Sequence, residues 1–159
     1  MGLFSGLKFT HYIASAAAKA RRYRNRAAQN AMKAQTRAGV LRVVEADVAP
    51  VALGQPELND FLKALRNAIG GWEDSRLADE TAAKACQAVI DATRAPIDVV
   101  KMKTANANMA ASNALYLSDA ARARAINLHK ELRSAGKALS TVVSPPMPLL
   151  DFDRRSDFL

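Results

Sequence analysis

The first 44 residues contain no aspartate or glutamate. Nine lysines and arginines precede Glu45, the first acid. The remainder carries 14 basic against 15 acidic residues, so the net charge of +8 belongs entirely to the N-terminal segment. Such a segment attracts phosphate, of nucleic acid or anionic lipid, or an acidic protein. Cysteine is nearly absent too. Cys86 stands alone, which excludes an intrachain disulfide. Its setting among alanines predicts a small buried hydrophobe, since no nearby cation cluster would lower its pKa. Aromatic residues make up only 6% of the chain, so large core anchors are scarce. No apolar run reaches the ~18 residues that span a bilayer. At the start, Met1-Gly2-Leu3-Phe4-Ser5-Gly6-Leu7-Lys8, charge follows the apolar stretch, the reverse of a secretory signal. Gly6 stands where a myristoylation pattern wants Ser or Thr.

What is present is alanine, which favours helices and buries little area. The expected class is all-α: extended long helices with small-residue seams, in a bundle completed by oligomerisation. A basic N-terminal helix with an apolar tip is expected over 1–47, with no Pro to interrupt it. Its seam runs Ile13, Ala17, Ala20, Ala27, Ala31, Ala34, Ala38 and Leu41 at alternating spacings of four and three, with Arg24 the one exception. A linker follows over 48–55, holding Pro50 and Gly54. A helical region over 56–143 divides into helices at about 56–70, 75–94 and 96–143, with Gly70-Gly71 stopping the first. Leu77, Ala85, Val89 and Ala92 are expected inward on the second.

The third helix keeps the three–four alternation from Ile97 to Val142 through Ala107, Ala111, Ala114, Ala121 and Ala125 without a charged residue. These five alanines, with Ala27, Ala31, Ala34 and Ala38, are the expected oligomer seam. A tail over 144–159 has three prolines within four residues, followed by Leu149, Leu150, Phe152, Phe158 and Leu159, and is expected to dock on a neighbouring subunit.

No catalytic constellation emerges, so an enzyme is not expected. His11 and His129 lack ligand partners at helical spacing, and no metal or cofactor is expected. His129 is expected at the surface or its boundary, Asp79-Glu80 as a charged helix turn, and Trp72 as a core or interface plug. The strong local signal is Lys19, Arg21, Arg22, Arg24 and Arg26, with four arginines in six positions splayed around a helix. Without a base-reading motif, these residues suit salt-sensitive contact with phosphates or lipid headgroups. Upstream, Leu3, Phe4, Leu7, Phe9 and Ile13 form an apolar tip suited to insertion at a membrane interface.

Two stretches, Ala27-Ala28-Gln29-Asn30-Ala31-Met32-Lys33-Ala34-Gln35-Thr36-Arg37-Ala38-Gly39 and Ala64-Leu65-Arg66-Asn67-Ala68-Ile69-Gly70-Gly71, carry a likeness of style. The layout over about residues 10–95 resembles the small internal virion (ejection) proteins of short-tailed phages. That resemblance implies a structural protein held inside the virion and found at the host envelope after ejection. Its partners would be copies of itself, other internal virion or portal proteins, and anionic membrane or the DNA backbone. It would help form a conduit for DNA. Two other readings stand beside it: a nucleic-acid-packing or scaffold protein with a phosphate-binding arm, and an organellar helical protein with a cleaved presequence.

Overall fold

The computed structural model describes the backbone over residues 3–140 and the side chains over residues 10–139. It contains three helices, α1 (Leu3–Ala52), α2 (Leu58–Ala92) and α3 (Val100–Ser140), and no strand among the described residues. The class is all-α, as the alanine content and three–four spacing require. The connections are short. Residues 53–57 turn through Gly54 and Gln55 amides bonded to the Val51 and Ala52 carbonyls. Residues 93–99 turn with the Thr93 hydroxyl donating to the Ile90 carbonyl at 2.6 Å. The tail over 144–159 and its expected docking role lie outside the described residues.

Three boundaries differ from expectation. The 48–55 linker is mostly helix: α1 runs through Pro50 to Ala52. Val48 and Ala52 are buried, and Pro50 sits in the last turn, where the lost amide donor affects little further helix. Second, Gly70-Gly71 does not stop a helix. The expected helices at 56–70 and 75–94 are one continuous α2. A Cβ on Gly71 would lie 2.7 Å from Leu128 Cδ1 and 3.3 Å from the Ala125 Cα, so this glycine permits close approach of α3. Third, α3 begins at Val100 instead of Pro96, and Ile97 is exposed in the preceding turn, outside the seam.

The chain packs as two compact units. Unit 1 is Met1–Ala31 with Leu77–Asp119, and unit 2 is Met32–Arg76 with Ala120–Leu159. In unit 2 the core is built on large side chains, with Leu41, Leu58, Phe61, Leu65, Trp72 and Leu132 all buried. Arg42 pairs with Glu73, and Arg66 Nε donates to Glu45 Oε1 at 2.7 Å. In unit 1 the core is small: Ala20, Cys86, Val89, Ile90 and Ala111, flanked by Tyr23 and Leu115. Burial raises the pKa of the Cys86 thiol, which behaves as the expected hydrophobe.

The seam alanines stand at or near the interior of a single chain. Ala27, Ala31, Ala34, Ala38, Ala111 and Ala125 are buried, while Ala107, Ala114 and Ala121 are half-buried. The buried ones among them pack between the chain's own helices. Leu77, expected inward, is exposed.

Candidate phosphate-facing surface

The basic cluster occupies the part of α1 that lies in unit 1. At 3.6 residues per turn, Lys19, Arg22 and Arg26 fall on one stripe at spacings of three and four. All three are exposed, as is Arg21 beside them. From Lys19 to Arg26 the stripe extends about 10 Å. Lys19 Nζ stands 5.8 Å from the centroid of the Tyr23 ring, a cation–π distance that holds one end of the row against a half-buried aromatic. Arg21, Arg22 and Arg26 make no ion pair among the described residues. Their charge meets no carboxylate on α1 before Glu45.

Arg24 leaves the expected set. It is the charged member of the apolar seam, and it is half-buried. Its Nη1 donates to Gln87 Oε1 at 2.7 Å, and Gln87 Nε2 donates to Asp91 Oδ1 at 2.9 Å. Nε and Nη2 also reach Asn25 Oδ1. Arg24 thus ties α1 to α2 and is spent within unit 1. Ile13 is likewise half-buried, lining an apolar groove of about 300 Å³ with Ala17, Thr93, Ile97 and Val100. The side chains of Leu3, Phe4, Leu7 and Phe9 lie outside the described residues. Among the described residues no helix is long and apolar enough to cross a membrane.

Two polar side chains are more buried than the sequence suggests. His129 is buried in unit 2, where its Nδ1 accepts a long hydrogen bond from Trp72 Nε1 at 3.4 Å. The Arg37 guanidinium lies 4.4 Å from the centroid of the Trp72 ring on α2. Desolvation, then the charges of Arg133 and Arg37, push the His129 pKa down to about 4. The imidazole is thus neutral near pH 7. Asp79, expected as part of a charged helix turn, lies in α2 but is fully buried in unit 1, where it accepts a hydrogen bond from the Ser118 hydroxyl at 2.5 Å. Among the described residues no group of three or more His, Cys, Asp or Glu could hold a metal ion. A groove of about 600 Å³ in unit 1, lined by Asp91, Arg94, Lys103 and Asn106 among others, brings in no histidine, thiol or second carboxylate.

What the exposed row can do is therefore electrostatic. It presents cations at helical spacing to a surface rich in phosphate, with no side-chain set for reading bases. Compared with protein-family models, curated proteins and solved structures, the chain matches none.

Proposed function

We propose that this chain is a structural, non-enzymatic component of the kind found inside short-tailed phage virions, leaving with the DNA and helping to form its conduit through the host envelope. In that role α1 engages an anionic, phosphate-bearing surface. The observation that carries this reading is the row Lys19, Arg22 and Arg26, exposed with Arg21 on a helix stretch that has no acid of its own. A solvated structural helix normally interleaves both signs, as unit 2 does with Arg42–Glu73 and Arg66–Glu45. The likeness of the Ala/Gln/Arg-rich stretches to ejection proteins supports the setting. The apolar-then-basic order of α1 supports lipid over DNA as the surface. The burial of Leu41, Val44 and Val48 weighs against a cleaved presequence, because removing α1 would uncover the main core.

The test is co-sedimentation with anionic vesicles across a salt series. Each basic residue near such a surface contributes about 1 kcal/mol, so Arg21→Gln/Arg22→Gln/Arg26→Gln should weaken binding on the order of 100-fold at low salt. Phe4→Ser/Leu7→Ser should remove the part that survives high salt. Loss only in the arginine variant, with duplex DNA competing fully, would instead favour the nucleic-acid-packing reading.

A further inference from the structure

In unit 1 the apolar face of α1 is turned inward. Ala20, Ala27 and Ala31 are buried, and Ile13, Ala17 and Tyr23 on the same face are half-buried. Closed in this way, α1 offers a surface its cations and little of that face. An amphipathic helix on anionic lipid does the reverse: it buries its apolar face in the interface and holds its cations at the headgroups. Both arrangements use one face, so they exclude each other. The closed arrangement is lightly held. The buried alanines remove little area from water. A groove of about 300 Å³ separates Ile13, Ala14 and Ala17 of α1 from Thr93, Ile97 and Val100, so contact there is incomplete. Lys19 with Arg22, and Arg22 with Arg26, are like charges at spacings of three and four, which weaken the helix when no anion is near. The rest of the described unit, 77–119, has five acids against four bases, while α1 brings six cations before residue 32. Farther along, the same helix is anchored by Leu41, Val44 and Val48 in the large core of unit 2.

We propose that the part of α1 in unit 1 is a strap, closed in solution and opened by an anionic lipid surface, with the Arg24–Gln87 contact as its catch. Of the four clustered arginines, Arg24 is the one on the inward face. Its Nη1 donates to Gln87 Oε1 at 2.7 Å, so in the closed state an amide oxygen holds a guanidinium that a phosphate would hold better. Arg21, Arg22 and Arg26 attract the surface while the strap is closed. Opening frees Arg24 to join them and lets the face from Ile13 to Ala27 enter the interface. Duplex DNA offers phosphate but no apolar interface, so it leaves the strap closed. The inference rests on the proposed binding of α1 to an anionic surface and adds how that binding is regulated: the apolar face stays covered until the surface is met.

Cys86 reports the opening. It is the sole thiol, is 1% exposed, and lies in the same buried cluster as Ala20 of α1. Its alkylation by a maleimide should be slow in solution and about tenfold or more faster on phosphatidylglycerol vesicles, as the open state becomes populated. Phosphatidylcholine vesicles and duplex DNA should leave the rate unchanged. Gln87→Ala keeps every charge and the helical preference of α2 while removing the catch. It should raise the labelling rate in solution about fivefold and tighten vesicle binding by a similar factor, because less of the binding energy goes into opening. A purely structural Gln87 would leave binding unchanged or weaker. Circular dichroism checks that the variant keeps its helicity; if it does not, the wild-type labelling decides alone. Vesicle binding with Cys86 still protected would overturn the strap and leave the phosphate-facing reading standing. Absence of vesicle binding would overturn both. Equal acceleration by duplex DNA, or a folded Gln87→Ala that binds vesicles no more tightly, would also overturn the strap.

Discussion

Unit 2 and unit 1 use the same three helices and the same spacing, but they fill the seam differently. Unit 2 fills it with Leu41, Phe61, Leu65, Trp72 and Leu132, and carries the Arg42–Glu73 and Arg66–Glu45 pairs on its surface. Unit 1 fills it with alanines, Cys86, Val89, a buried Asp79–Ser118 pair and the buried Thr104, and leaves cations and methionines outside. Burial contributes roughly 25 cal/mol per Å² of apolar surface, so the large side chains of unit 2 supply most of the stabilisation. Unit 1 gains less from its interior and exposes more chemistry. The lesson is a contrast set by side-chain size at one repeating position: one unit buries large apolar side chains, while the other has a small interior and leaves cations and methionines on its surface.

Three experiments would break or sharpen this contrast. Phe61→Ala in unit 2 should destabilise by about 3–5 kcal/mol, as large-to-small changes in a packed core do. Val89→Ala in unit 1 should cost about 1.5–2 kcal/mol. Urea denaturation measures both, and equal costs would erase the distinction.

The second concerns acid. The His129 pKa is lowered from 6.5 to about 4, so between those values the unfolded chain binds the extra proton and stability rises with pH. The contribution is present in full above pH 6.5 and is lost as pH falls through about 4. It amounts to about 3 kcal/mol. Urea midpoints from pH 7 to pH 4 should therefore fall less steeply in His129→Gln than in wild type. Parallel slopes would remove His129 from the account.

The third is the smallest and differs in sign across one peptide bond. Gly71→Ala should destabilise by about 1–3 kcal/mol, because the new methyl meets Leu128 and the Ala125 backbone. Gly70→Ala meets nothing within 4 Å and should stabilise by up to about 1 kcal/mol. Thermal melts of the two variants moving the same way would show that Gly71 is not the contact point.

Much of the fold was legible. The α1 seam from Ala20 to Leu41 and the α3 seam from Val100 to Leu139 are the buried or half-buried faces the spacing indicates, since three–four recurrence can face only one side of a helix. Trp72 and Cys86 are interior, as their neighbourhoods suggested. What failed traces largely to one pair of residues. Taking Gly70-Gly71 as a stop broke the register of α2. Kept whole, that register reads Leu58, Phe61, Leu65, Ala68, Trp72, Ser75, Asp79, Ala82, Cys86 and Val89, every one buried. Asp79 was therefore a predictable interior residue, and Leu77 a predictable exterior one. His129 was less accessible to such reasoning, because it sits one residue off the α3 seam and is buried beside Trp72 and Arg37. Of the candidate surface, the exposed Arg21, Arg22 and Arg26 follow from composition, whereas the capture of Arg24 by Gln87 requires knowing which α2 residue lies opposite.

The unbroken α2 register also limits how the gene can change length. Deleting one residue near the middle of α2 turns everything beyond it by about 100°, taking an entire half-helix off its face. A deletion of seven restores the face to within about 20° but leaves one helix short by about 10 Å beside two unshortened neighbours. Insertions and deletions in this chain should therefore be accepted mainly in the turns at 53–57 and 93–99, or as whole heptads made in all three helices together.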